Sequence, residues 1–240
     1  MSKVSVGSLV AVGCGVDSCQ ECDLCDAGEE NYCRKGGQTH TYNSEKTHGH
    51  MGGNQDTQTF GGYSKSHVVQ ERFIVVLPQD IDLAKAAPLV CAGITMFDPL
   101  KHWGAADTDK KMNIGIAGVG GLGTMGIKLA KAMGHNVVAI SSSEGKRQLA
   151  LDKGAAGYIP TSDPASVAKN RNTLDLILNT IPVPHDIMSL VSLLTTNGTL
   201  VQLGAVPAPQ PIVQFALMMG RKSIAGSAVG GMKALQVTLV

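Results

Sequence analysis

Asn113-Ile114-Gly115-Ile116-Ala117-Gly118-Val119-Gly120-Gly121-Leu122-Gly123 is the stretch on which the fold turns. A short β-branched run passes without a break into G-x-G-x-x-G, and the apolar spacing that follows, Ile127 to Met133, is helical. Glycines alone make turns. Set between a strand and a helix, the same pattern lets backbone N–H groups and a helix N-terminus receive a pyrophosphate. Gly118 then supplies the tight turn, Gly120 the close approach of phosphate and Gly123 the close packing of helix on strand, with Gly121 and Leu122 completing the cradle. The helix is expected to begin near Met125.

Further along the chain, Val137 to Ile140 reads as the next strand. An acidic residue at its end would hold a ribose 2′-hydroxyl and so mark NAD; here stand Ser141, Ser142 and Ser143, with Lys146 and Arg147 close behind. Hydroxyls and cations hydrogen-bond and neutralise a 2′-phosphate that a carboxylate would repel, which favours NADP. The competing reading is a solvated turn with Ser143 capping the next helix. Leu174 to Thr180, His185 to Leu194 and Thr199 to Leu203 continue an alternation of strand and helix. The expected class is α/β, a Rossmann-type doubly wound parallel sheet over residues 89–230.

Residues 1–88 read differently. A strand is expected over Val4 to Val12 and a strand pair around Tyr63 to Leu77, with a polar surface loop from Lys35 to Phe60 between. Cys19, Cys22, Cys25 and Cys33 stand at C-x2-C-x2-C-x7-C, a spacing that lets one loop wrap four thiolates around a tetrahedral Zn²⁺. Such a site leaves no open position, so its zinc builds structure; a redox-sensing thiol cluster is the alternative. Disulfides fit poorly, because the chain is large and Cys14 and Cys91 lie outside the cluster. Loop residues His40, His48 and His50 are candidates for a second metal site or, more simply, solvated histidines. Taken alone, Cys91 is a small apolar residue before a helix, consistent with an inert buried thiol.

The 240 residues carry 20 Lys plus Arg against 19 Asp plus Glu, so charge argues for neither nucleic acid nor an anionic membrane surface. Gly, Pro and charges interrupt every apolar run short of membrane-spanning length. Ala11-Val12-Gly13-Cys14 hints at a lipoprotein cleavage site, yet the alternation of Val4, Val6, Val10 and Val12 reads as a strand, and a thiolate loop suits a reducing compartment. A cytoplasmic protein is expected.

Taken together, these strings resemble the zinc-dependent medium-chain alcohol dehydrogenases, in particular the cinnamyl alcohol dehydrogenase group. The likeness rests on Val12-Gly13-Cys14 leading into the Cys loop, Ala27 to Cys33, Gly61-Gly62-Tyr63-Ser64, Ala87 to Thr95, the glycine loop, and Gly220 to Ser227. It implies an NADP-dependent oxidoreductase interconverting aldehydes and primary alcohols, cinnamyl, aryl or aliphatic. Residues 1–88 would be part of a β-rich GroES-like catalytic domain, and 231–240 the start of a helix returning to it. Cys91 would then be one protein ligand of a second, catalytic zinc, with Thr95 packed on the nicotinamide side and Gly226 and Ser227 bordering the carboxamide. A homodimer through the sheet edge near Ile224 to Val229 is also implied. Family members carry a cysteine and a Gly-His-Glu segment upstream of the first strand, whereas this sequence starts three residues before Val4. The expectation is therefore a fragment or a truncated member with an incomplete second zinc site, inactive alone; a truncated paralogue serving as a zinc- and nucleotide-binding or assembly module is the alternative.

Overall fold

The computed structural model describes residues 4–48, 50, 58–107 and 109–238. The chain divides into two compact units, Met1–Ile94 with Val229–Val240, and Thr95–Ala228. The sequence-based division at 88/89 and 230/231 is not the same partition.

The first unit is built from short pieces: β1 (Val10–Val12), β2 (Gly15–Asp17), α1 (Asp23–Ala27), β3 (Thr39–His40), β4 (Tyr42–Glu45), β5 (Gln58–Phe60), β6 (Ile74–Val76) and α2 (Leu83–Ala86). They pair antiparallel in twos, β1 with β6, β2 with β3 and β4 with β5. The strand expected from Val4 is only three residues long, because Ser8 N–H closes a turn onto Ser5 C=O (3.0 Å) and Gly7 sits at φ +93°. From Tyr63 to Leu77 a single three-residue strand forms, preceded by a 3-10 turn over Glu71–Phe73. The polar segment expected as loop contributes β3, β4 and β5, whose pairing is broken by register shifts.

A helix α3 (Ala92–His102) carries the chain from the first unit into the second. There follow β7 (Asn113–Ala117), α4 (Gly121–Ala132), β8 (Asn136–Ser141), α5 (Arg147–Asp152), β9 (Gly157–Pro160), α6 (Pro164–Lys169), β10 (Leu174–Asn179), α7 (Ile187–Leu193), β11 (Leu194–Gln202), α8 (Gln214–Met218) and β12 (Ser223–Gly226). Helix α9 (Met232–Thr238) closes the described chain and belongs with the first unit.

The second unit's sheet is parallel, six-stranded and ordered β12-β11-β10-β7-β8-β9, the Rossmann-type doubly wound arrangement. After β9 the chain returns to β10 on the other side of β7, so the direction of winding reverses between those two strands. Both faces are covered: Ile114, Ile116, Leu176 and Leu178 pack with Ile127 and Ala130 of α4, while Ile140, Ile177 and Leu200 pack with Leu190 and Val191 of α7. Each such aliphatic side chain contributes roughly 1.5–3 kcal/mol by leaving water.

Helix α4 starts at Gly121, four residues before the expected Met125. Its buried residues Gly123, Gly126, Ile127 and Ala130 follow one face at helical spacing, so the glycines are part of the helix and let it lie close. Among the described residues no single helix is long and apolar enough to cross a membrane.

Candidate functional site

At the reversal point, β7 ends in a turn that only glycine makes cheaply. Gly118 has φ +90°, and a Cβ there would stand 2.7 Å from Thr180 Oγ1. A Cβ on Gly123 would fall 1.7 Å from the carbonyl oxygen of Gly118, so the first turn of α4 rests on the loop itself rather than on the strand alone. Around Gly120 and Gly121 nothing lies within 4 Å of such a Cβ, which leaves the loop's outer side open. The N–H groups of Gly121, Leu122 and Gly123 belong to the helix's first turn and so lack intrahelical acceptors.

That open side is a crevice of about 350 Å³ lined by Gly118 to Leu122, Ser141, Ser142, Lys146 and Thr180 to Pro182. Orphan helix-end donors, a positive dipole end and a lysine converge on it, and no carboxylate lines it. Ser141 is buried, and its Oγ accepts the N–H of Ser143 (3.3 Å), which pins the end of β8. Ser142 and Lys146 stand exposed at the rim.

Ser143 and Arg147 are not among the lining residues. Arg147 is bound elsewhere. Its guanidinium donates to both carboxylate oxygens of Glu144 and lies 4.8 Å above the Tyr158 ring, and the Glu144 hydrogen bond raises the Arg147 pKa further. Tyr158 in turn donates to the Ser143 carbonyl. The loop after β8 therefore divides its two cations, one held by protein and one facing the crevice.

The carboxyl ends of β10, β11 and β12 carry a second network that sequence reading missed. Asn179 is fully buried; one of its amide hydrogens goes to Gln202 Oε1 (2.7 Å) and the other to His185 Nε2 (2.8 Å), while its Oδ1 accepts the N–H of Ile181 (3.3 Å). His185 Nδ1 faces the Val183 carbonyl at 2.7 Å and must donate, which fixes the neutral Nδ1–H tautomer and leaves Nε2 as acceptor. The turn Thr180 to His185, whose first three residues line the crevice, is thereby tied to the sheet. Ser227 N–H bonds Gln202 C=O (3.1 Å), bringing Gly226 and Ser227 to the same end. The available signal was positional: residues at the ends of adjacent parallel strands face the ligand crevice.

In the first unit, Cys19, Cys22, Cys25 and Cys33 are all buried and their sulfurs lie within 4.8 Å of one another. Zn–S bonds of about 2.3 Å in a tetrahedron require sulfurs roughly 3.8 Å apart. Cys19 Sγ and Cys25 Sγ are 3.8 Å apart, so the four thiols fit one zinc ion. The thiols are electrically unequal: backbone hydrogen bonds from Arg34 and Cys25 bring Cys22 down to about 6, whereas burial pushes Cys25 up to about 12. Around them, α1 ends on Gly28 at φ +80°, and the buried carboxylate of Glu30 takes Arg72 Nε (3.2 Å) and the N–H of Met232 (2.9 Å).

Among the described residues these four are the group of three or more metal-ligating side chains placed to share one ion. Cys91 lies outside it, exposed, at the junction between a 3-10 turn (Ala87–Val90) and α3; Thr95, in the first turn of α3, is buried. His48 Nε2 meets the Gly37 carbonyl (2.7 Å), and His50 Nδ1 meets Asp17 Oδ1 (3.2 Å).

Residues 121–239 match the model of the family described as zinc-binding dehydrogenase. A probable formaldehyde dehydrogenase of Bacillus subtilis is 44% identical over 239 residues, an alignment covering 100% of this chain and 65% of that protein. Two solved structures superpose closely. A cinnamyl alcohol dehydrogenase from Sorghum bicolor has TM-score 0.90 at 37% identity, and one from Helicobacter pylori, complexed with NADP(H), has 0.85 at 34%; each match covers 99% of this chain and 65% of the other. This chain thus spans a little under two thirds of the length of these relatives, and over that span it is similar in sequence and fold to the cinnamyl alcohol dehydrogenases, with residues 121–239 matching the zinc-binding dehydrogenase family.

Proposed function

We propose that the chain forms the NADP-binding and structural-zinc portion of an oxidoreductase that interconverts small aldehydes and primary alcohols. The observation carrying the nucleotide part is the crevice at the winding reversal, where first-turn N–H donors, Ser141, Ser142 and Lys146 converge without a carboxylate. The pyrophosphate would lie on Gly118 to Gly123, and the 2′-phosphate against Ser142 and Lys146. Ser141 and Ser143 would shape that pocket through their own hydrogen bond, and Arg147 would brace it from behind. The turn held by Asn179 and His185, together with Gly226 and Ser227, would border the nicotinamide half, the hydride carrier when bound. A relative named for NADP dependence, from Mycolicibacterium smegmatis, is 42% identical, which supports the same choice.

Zinc would be held by Cys19, Cys22, Cys25 and Cys33 as a closed structural site. Cys91 is proposed as one ligand of a second zinc that polarises the substrate oxygen, and Thr95 as a neighbour of the nicotinamide. A metal ion with fewer than three protein donors has no defined geometry, and no group of three ligands among the described residues includes Cys91. Appreciable turnover by these 240 residues alone is therefore not expected; a purely zinc- and nucleotide-binding role for this exact chain is the second reading, favoured by that same observation. The homodimer proposed through β12 is supported by its place at the sheet edge and by exposed Phe215, Met218 and Met219 nearby in sequence. A reducing, cytoplasmic setting is part of the same proposal, and the thiolate loop supports it.

Titration of the purified chain with NADPH and NADH tests the nucleotide assignment: NADPH binding at least tenfold tighter supports it, and equal or reversed affinities refute it. Assay against cinnamaldehyde, benzaldehyde and hexanal with NADPH and zinc tests the rest. Background rates are expected for this chain, and measurable turnover for a longer one that supplies further ligands beside Cys91.

A further inference from the structure

Cys14 and Cys91 come from distant parts of the first unit and stand on segments that touch. Gly13 and Val90, the residues just before them, already approach so closely that a Cβ on Gly13 would stand 3.3 Å from the Val90 carbonyl. Cys14 Sγ lies 3.9 Å from that same carbonyl oxygen, which belongs to the residue preceding Cys91, and the nearby Cys91 thiol adds to burial in raising the Cys14 pKa. The two differ in access, Cys91 being exposed and Cys14 partly covered, and the other four cysteines are buried in their own cluster.

We propose that Cys14 and Cys91 form a reversible disulfide, with Cys91 the thiol that a hydroperoxide meets first and Cys14 the thiol that resolves it. The chemistry closes without further reagents. The Cys91 sulfur, as thiolate, attacks hydrogen peroxide; an S–O bond forms, the O–O bond breaks, and one water leaves with the proton that Cys91 gave up. The Cys14 sulfur then attacks the resulting sulfenic acid; the S–S bond forms, the S–O bond breaks, and hydroxide departs with the Cys14 proton as a second water. Two thiols are oxidised by two electrons, the peroxide is reduced, and a dithiol reductant reverses the step. With Cys14 packed against the residue preceding Cys91, little backbone movement brings the two sulfurs to bonding distance. The inference stands on these two thiols and not on metal binding, but it bears on the function proposed above: the disulfide withdraws the Cys91 thiolate from any metal site it serves and ties the Gly13-Cys14 segment to the start of α3.

The experiment treats the zinc-loaded 240-residue chain with one equivalent of hydrogen peroxide, alkylates the remaining thiols and cleaves before aspartate, which parts Cys14 in fragment 1–16 from the loop cysteines and places Cys91 in fragment 82–97. Mass spectrometry should find these two fragments joined in most molecules and separate after dithiothreitol. In Cys14→Ser the joined pair should vanish, and a dimedone adduct on Cys91 should rise severalfold. Three results overturn the proposal: Cys91 left unreacted, Cys91 taken to sulfinic acid or an intermolecular bridge in the unsubstituted chain, or fragment 82–97 joined to the loop fragments instead. Zinc content and NADPH affinity measured on the same untreated sample report separately on the function proposed above.

Discussion

In the sheet unit, Ile114, Ile116, Leu176, Leu178 and Val201 are at most 1% exposed and belong to one continuous cluster with α4. In the Cys loop the buried cluster consists of four thiols, with partly buried Leu24 against them. The same contrast holds for polar atoms. Among the described residues, the buried side-chain atoms without a hydrogen-bond partner, Asp17 Oδ2, both amide atoms of Asn31, Thr39 Oγ1 and Gln70 Nε2, all fall in the first unit. The sheet buries enough apolar surface to hold itself together. The loop does not, and a metal held by its four thiolates would supply what packing omits, since structural zinc is worth on the order of 10–16 kcal/mol in small peptides.

The sharpest break between the two regions should come from Cys25→Ser. Cys25 is fully buried, so losing its thiolate should lower zinc affinity by several orders of magnitude, read by metal analysis after dialysis. NADPH affinity should change less than twofold. Gly123→Val is the converse experiment: its side chain would collide with the Gly118 carbonyl, so NADPH binding should weaken more than about 100-fold and the sheet unit should lose roughly 2–4 kcal/mol while zinc content stays at one per chain.

Lys146→Ala sharpens the comparison inside the crevice. NADPH affinity should fall about tenfold and NADH affinity should not move, because one charge-assisted contact to the 2′-phosphate is lost. Arg147→Ala should alter the preference less than threefold, since Glu144 and Tyr158 already occupy that guanidinium. Equal effects of the two changes would show that the loop rearranges around its ligand.

The smallest expected effect is at the start of α7. Asp186 accepts the N–H groups of Met188 (2.9 Å) and Ser189 (3.1 Å) and is held below its usual range chiefly by the Ser189 hydroxyl. A carboxyl with a lowered folded-state pKa contributes stability that is complete above about 3.8 and is lost as pH falls through the lowered value. Asp186→Ala should cost about 1 kcal/mol in urea unfolding at pH 7, and the difference should shrink toward pH 3.

Much of the sheet unit was legible because alternation of β-branched runs with helical spacing, and glycines at a strand-to-helix junction, are local signals. The start of α4 was not. Its first turn holds Gly121 and Gly123, and glycines score as helix breakers; close packing of Gly123 on Gly118, and of Gly126 on Met96 one turn later, overrides that preference. Arg147 and Lys146 look equivalent in the chain, and only folding, which brings Tyr158 of β9 beneath Arg147, separates them. Asn179 and His185 were passed over because their roles exist only once β10 and β11 lie side by side. In the first unit the Cys spacing pointed to the cluster of four thiols, while strand lengths were misjudged around Gly7, where a turn breaks the alternation, and across 63–73, a largely polar stretch that ends in a 3-10 turn over Glu71–Phe73.

Hydrogen exchange on the zinc-loaded chain, with and without a strong chelator, tests most directly whether metal orders one region and packing the other. Amides of residues 19–35 should lose their protection once zinc is removed, while those of β7, β8, β10 and β11 exchange as slowly as before. Loss of protection throughout both units, or none in the Cys loop, would contradict this account.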